Sequence, residues 1–241
     1  MVTEVKTRKI IWQNCQKEGK IMVTMKDLLE CGVHFGHQTR RWNPKMKPFI
    51  YEKKDGVHVF DLEKTLECLQ KAQQFLAATK IKNGKVLFVG TKPQSAHVIA
   101  NMISDTKHAY IDEKWSPGLL TNFKDIRKRI DYYVQLKTQF EDGSINKYTK
   151  KEVAGFKKQL DKLEKAYRGV AEMRQKPDVI VVLDAVGNKL AIKESQTLGI
   201  PLVSLVDSNA DPDGIAYPIP ANDDSVKSVG FIVKTMLESL E

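Results

Sequence analysis

Apolar positions along the chain alternate between two periods. Leu62, Leu66, Leu69, Ala72 and Leu76 fall at helical steps. Asp61 stands where an N-cap is needed, and Glu63 lies in the first turn, where the helix dipole favours an acid. Asn83-Gly84 stops that helix, and KVLFVG (85–90) follows as an unbroken apolar run of the kind found in a strand covered on both faces. The exchange then repeats. Pro93 suits the first turn of a helix bearing Val98, Ile99, Met102 and Ile103. Tyr110 and Ile111 make a short strand. DVIVVLD (178–184) and PLVSLVD (201–207) read as strands flanking a helix over 188–199. AYPIP (216–220) fits only an edge strand because of its prolines, and 223–240 closes the chain as a helix with Asp223 or Asp224 near its cap. VHVFD (57–61) is a further short strand before the first long helix. Strands alternating with helices predict an α/β fold, an open parallel sheet with helices on both faces.

Residues 121–172 break this rhythm. Phe123, Ile126, Ile130, Tyr133 and Phe140 fall largely at three- and four-residue steps, and Asp142-Gly143 ends the run. Thr149 and Glu152 have capping-box spacing. Beyond them Val153, Phe156, Leu160, Leu163, Tyr167 and Val170 alternate steps of three and four, a narrow coiled-coil seam. The pattern predicts an inserted antiparallel coiled-coil α-hairpin. The chain therefore divides into a tail (1–21), the first part of an α/β domain with a basic N-terminal segment (22–120), the hairpin (121–172) and the second part of the α/β domain (173–241). The tail shows no period, and Met22 or Met25, just before MKDLLECG, is the expected start of the mature chain.

The stretch from Leu28 to Lys64 fits neither period. Gly32 and Gly36 interrupt it, and Pro44 and Pro48 push Asn43 and Lys47 toward extended geometry. Arg40, Arg41, Lys45, Lys47, Lys53 and Lys54 stand here beside Trp42, Phe49 and Tyr51. An irregular, cationic and aromatic segment suits a folded RNA surface.

Charge strengthens that reading. Hydrophobic residues make up 41% of the chain and charged ones 29%, with a formal net charge of +9. The excess of cations lies in residues 1–60 and 121–172, whereas residues 173–241 are acidic. Two separate basic regions in one basic chain point to a polyanionic partner. Cys15, Cys31 and Cys68 form no disulfide framework and suit a reducing cytoplasm. No apolar run is long enough for a membrane span, and no secretory h-region is present in the first 21 residues.

Three motifs invite other chemistry. Cys31, His34 and His37 have ligand-like spacing but lack the four ligands of a structural zinc site, so they are expected to pack rather than bind metal. VGTKPQ begins like a phosphate loop but lacks its Gly-Lys-Ser/Thr ending. Lys92 in that turn can still meet a phosphate. Asp184, Asp207, Asp211 and Asp213 lie at or beyond the ends of two strands, where ligands bind in open α/β sheets. A magnesium-dependent, phosphate-handling enzyme using the Asp184/Asp207 region is therefore the alternative. Asp-Pro-Asp-Gly is also strong turn chemistry, and neither a nucleophile nor a phosphate loop accompanies these acids, so no catalytic residue is expected. A free-standing coiled-coil adaptor is the third possibility.

LLECGVHFGHQTRRWNPKMKPFIY resembles the N-terminal signature of the family of the second protein of the bacterial small ribosomal subunit. PDVIVVLDAVGNKLAIKESQTLGIP (177–201) and VDSNADPDGIAYPIPANDDS (206–225) are similar to two further blocks of that family, as are KVLFVGTK, KWSPGLLTNF and TKKE. The likeness runs from Met25 to the C-terminus. EKWSPG departs from it, with Glu113, Lys114 and Ser116-Pro117 where the family usually has a basic residue and glycines. The resemblance implies a flavodoxin-like sheet with a protruding coiled-coil hairpin. It implies a structural constituent of the 30S subunit in the cytoplasm, without cofactor, metal, membrane or small-molecule substrate. It further implies binding to 16S ribosomal RNA and to neighbouring small-subunit proteins, including the first and largest. The expected RNA-binding set is Arg40, Arg41, Trp42, Asn43, Lys45, Lys47, Lys53, Lys54, Lys92, Trp115, Asn122, Lys124 and Lys128.

Overall fold

A computed structural model describes residues 23–240. The tail and the expected start at Met22 lie outside the described residues. The first helix, α1 (Met25–Glu30), opens with a capping box in which Thr24 and Asp27 satisfy each other's backbone N–H. Three short strands follow, β1 (Phe35–Gln38), β2 (Ile50–Lys54) and β3 (Val57–Phe60), forming an antiparallel sheet in the order β1-β3-β2. This corrects the expectation of an irregular segment. The side chains of β2 from Tyr51 to Lys54 are all exposed, so the strand lacks the apolar alternation that would have revealed it. Asp55 and Gly56, both at positive φ (51° and 78°), make the two-residue turn that joins β2 to β3. Asn43 is extended, as Pro44 requires, but Lys47 is not: it lies in a 3₁₀ helix spanning Pro44–Phe49.

Next comes α2 (Leu62–Ile81), capped by Asp61, whose side chain accepts from the N–H groups of Glu63 and Lys64. The central sheet contains β4 (Val86–Val89), β5 (Ala109–Ile111), β6 (Val179–Val182), β7 (Leu202–Val206) and β8 (Tyr217–Pro220). All pairings are parallel, in the order β5-β4-β6-β7-β8. Counted from β4 this is 2-1-3-4-5, the flavodoxin-type order. Every residue of β4, β6 and β7 is buried, which explains their unbroken apolar sequences. β8, with Pro218 and Pro220, lies at an edge, where a missing donor is tolerated.

Alternate side chains along each strand serve two cores. On one face Val86, Phe88, Val181 and Val203 pack with α2, α3 (Pro93–Met102) and the later helix α7 (Val226–Glu238). On the other Leu87, Val89, Ile180 and Val182 meet Ile126, Ile130 and Tyr133 of α4 (Phe123–Glu141) and Tyr167 of α5 (Lys150–Tyr167). The helix α6 (Lys189–Leu198) joins this face through Ala191, and Met46 and Phe60 tie the N-terminal layer to it. Thr149 and Glu152 form the capping box of α5. α4 and α5 pack together, with Tyr132 donating to Gln159 at 3.3 Å. The closing helix α7 is capped by Ser225, directly after Asp223 and Asp224, which were expected near the cap.

Candidate nucleic-acid interface

Asp223 is absent from the cap because it is used elsewhere. β6, β7 and β8 deliver Asp184, Asp207 and Asp223 just past their carboxyl ends, and all three are buried. β4 delivers Lys92 in its outgoing turn. The Lys92 Nζ lies 2.7 Å from Asp223 Oδ1, 3.0 Å from Asp224 Oδ1 and 3.9 Å from Asp184 Oδ1. Burial works against the Lys92 charge, but these carboxylates outweigh it and hold the ammonium above the ordinary lysine range. Burial, then the neighbouring Asp207, pushes the Asp223 carboxyl up to about 7.

His37 closes the cluster from above. Its Nδ1 stands 3.0 Å from Asp207 Oδ1 and its Nε2 3.3 Å from Asp224 Oδ2. The hydrogen bond to Asp207 raises the imidazole above its ordinary value. His37, Asp207 and Asp223 each offer a ligand atom within 4.8 Å of the others, an imidazole and two carboxylates that could hold a metal ion. Asp184 Oδ2 and Asp223 Oδ2 have no hydrogen-bond partner among the described residues. Cys31 and His34 take no part in this group. Of the three residues expected only to pack, His37 is therefore corrected to an ionic anchor.

The same contact docks the N-terminal layer onto the strand ends. His37 N–H donates to Ser208 Oγ at 2.8 Å, and Asn43 N–H donates to the Ser208 carbonyl at 2.7 Å. A Cβ on Gly36 would lie 3.0 Å from Ser208 Oγ and 3.1 Å from the His58 carbonyl, so the two layers meet where a side chain has little room. Lys45 bridges Asp211 (2.7 Å) and Asp213 (2.6 Å), turning Asp-Pro-Asp-Gly into a second attachment point.

This docking sorts the expected RNA-binding residues. Arg40, Arg41, Lys47, Lys53 and Lys54 are exposed on the N-terminal layer. Trp42 is 37% exposed, its ring tilted against His58 at 5.1 Å. Asn43 and Lys45 are engaged in docking, and Lys92 in the acidic cluster. Asn122, Lys124 and Lys128 are exposed on a different element, the start of α4, with Lys128 paired to Asp125 at 3.1 Å.

Trp115 is buried, 5% exposed, with Nε1 donating to Glu194 Oε1 at 3.0 Å. Glu194 also accepts from the N–H groups of Gly118, Leu120 and Thr121 and from the Thr121 hydroxyl. Burial alone would raise this carboxyl, but the donors from Trp115 and the backbone outweigh it and hold it below the ordinary glutamate value. Glu194 thus organises the loop that leads into α4. Sequence reasoning missed it, because a lone glutamate on an amphipathic helix carries no local signal of five converging donors.

A model of the family described as ribosomal protein S2 matches residues 28–241. The chain belongs to the ribosomal protein S2 family. It is 47% identical over 214 residues to the small ribosomal subunit protein uS2 of Shewanella pealeana, covering 89% of this chain and 88% of that one. It is 44% identical to the protein of the same name from Maridesulfovibrio salexigens, covering 90% and 84%. The corresponding protein of Coprothermobacter proteolyticus is 44% identical, covering 91% and 82%. The S2 family consists of ribosomal structural proteins, and the chain is not an enzyme. Of the acids that suggested a magnesium-dependent phosphate enzyme, Asp207, Asp211 and Asp213 instead hold the N-terminal layer through His37 and Lys45, and Asp184 accepts from the N–H groups of Val186 and Gly187 in its own turn.

Proposed function

We propose that this protein is a structural constituent of the small ribosomal subunit in the cytoplasm. There it binds 16S ribosomal RNA and neighbouring ribosomal proteins, among them the first and largest of the subunit. Family membership across nearly the whole described chain carries the reading. The exposed cations of the N-terminal layer support it. Arg40 and Arg41 sit in a short 3₁₀ helix over Thr39–Arg41, and Lys47, Lys53 and Lys54 stand in the same layer. The layer is held from beneath by His37 and Lys45, which leaves these five side chains to meet phosphates. Their role is electrostatic neutralisation of a folded backbone, with Trp42 as the aromatic contact. Asn122, Lys124 and Lys128 supply a second contact at the base of an antiparallel coiled-coil hairpin (121–172), inserted between the two parts of the α/β domain (22–120 and 173–241). Trp115, Lys92, Asn43 and Lys45 serve by shaping and docking rather than by touching RNA.

Replacing Arg40 and Arg41 by Glu tests this. The variant should retain its circular dichroism and unfolding midpoint yet be depleted from small subunits sedimented at high salt. Normal occupancy would count against the assignment of this surface.

A further inference from the structure

Strand β3 carries a histidine where an apolar side chain would suffice. His58 is 8% exposed, and both its ring nitrogens are buried without a hydrogen-bond partner among the described residues. A buried polar group left unpaired is costly, and Phe60, two positions on along the same face, shows that an apolar ring is accommodated there. Burial first, and Lys53 second, hold the imidazole below the ordinary histidine range against the pull of the Thr39 backbone, so the ring is neutral near pH 7. A neutral imidazole offers one donor and one acceptor.

Trp42 covers this ring at 5.1 Å, tilted by 36°, and is itself 37% exposed. Among the described residues its indole makes no hydrogen bond, whereas the indole of Trp115 is tied to Glu194. The backbone around the pair is fixed. Asn43 N–H donates to the Ser208 carbonyl at 2.7 Å, and a Cβ on Gly36 would come within 3.1 Å of the His58 carbonyl. The rim is cationic: Arg40 and Arg41 immediately precede Trp42, Lys53 stands opposite His58 in the β2–β3 ladder, and all three are exposed. A flat heterocycle with a polar edge, joined to a phosphate, fits this combination. RNA offers one in the unstacked bases of loops and bulges, whose edges are free to be read. We propose that Trp42 and His58 form a reading site for one unpaired RNA base. The indole swings off His58, and the base enters beside it, stacked on the indole and hydrogen-bonded at its edge to the imidazole. The proposal rests on the RNA-binding reading above.

The test uses the full chain and the variants W42A, W42F, H58F and H58Q, with R41Q as a phosphate-contact control. The probe is deproteinised 16S ribosomal RNA, titrated over a range of salt. Base-specific chemical modification of the bound RNA maps which bases each protein protects. Circular dichroism and the urea midpoint check folding. Phenylalanine at 58 fills the space without polar atoms, and glutamine there restores a donor and an acceptor.

W42A should lose about tenfold in affinity, as expected for one base stack. Its salt slope should not change, because no phosphate contact is lost, whereas R41Q should lower the slope by about one. W42F should keep most of the affinity. H58F should fold at least as stably as wild type yet bind about fivefold more weakly, and H58Q should recover part of that loss. One base should be protected by wild type and R41Q and become reactive with both W42A and H58F. Unchanged affinity in a folded H58F would leave His58 a core residue and overturn the proposal. So would a W42A loss with a shallower salt slope, the mark of a displaced layer, or the absence of a base whose protection depends on Trp42. If H58F does not fold, the base map of W42A against W42F decides alone. Failure of the wild-type chain to bind 16S RNA would overturn the RNA-binding reading itself.

Discussion

The N-terminal layer and the helix pair α4–α5 both pack against the same parallel sheet, but the balance of chemistry that fastens them differs. Helices α4 and α5 extend the core: Ile126, Ile130, Tyr133 and Tyr167 are buried against the sheet. The N-terminal layer also buries Met46 and Phe60 in that core, but adds polar bonds to the strand ends through His37, Asn43 and Lys45. Apolar packing is strong and tolerant of small shifts, while hydrogen bonds to buried groups are weaker and fix one register. The α4–α5 pair is thus set by packing, and the polar bonds fix the register of the layer.

The sharpest way to break this contrast is Ile130→Ala. Ile130 is fully buried. Its truncation should cost about 2–5 kcal/mol in urea unfolding, through lost transfer energy and a residual cavity. A loss well under about 1 kcal/mol would show that α4 does not share the cooperative core.

Glu194→Gln ranks next, because it puts an amide among five donors. At neutral pH it should cost about 1–3 kcal/mol. The wild-type carboxyl is depressed in the folded state, so the stability it confers is complete above the ordinary glutamate pKa and is lost as pH falls through its lower folded value. The gap between wild type and variant should therefore be widest at neutral pH and close on acidification. A gap independent of pH would mean that the carboxylate charge is not what orders the 115–121 loop.

Ser208→Ala should have the smallest effect, about 1 kcal/mol or less, by removing the acceptor of the His37 amide. Its signature is local. Amide exchange should quicken across β1 and the Thr39–Arg41 turn and remain unchanged in α4 and α5. Uniform quickening would show that the layer and the α4–α5 pair are one cooperative unit.

These two regions also differed in how well they could be read from the chain. The helices α4 and α5 were plain because their apolar positions are periodic and α5 starts with a local capping box. β4, β6 and β7 were equally plain as apolar runs. The N-terminal sheet was not. Tyr51, Glu52, Lys53 and Lys54 are all exposed, so no alternation marks the strand, and Asp55-Gly56 was its only turn signal. At the site, the cations of residues 40–54 were visible as composition. Their supports were not, because His37 meets Ser208 across 171 positions of sequence. A separation of 131 positions between Asp223 and Lys92 likewise hid why Ser225 caps α7. Asp223 looked like a cap locally and was drawn inward by Lys92.

The separation of His37 from its partners also sets an order of events during synthesis. A chain made from its N-terminus exposes residues 35–60 long before Asp207, Ser208 and Asp223 exist. The basic layer can pair its own strands early, but its seat is built by the last quarter of the protein. The surface proposed to meet RNA is thus the first to be translated and among the last to mature. A truncated product would carry the cations without the platform that aims them.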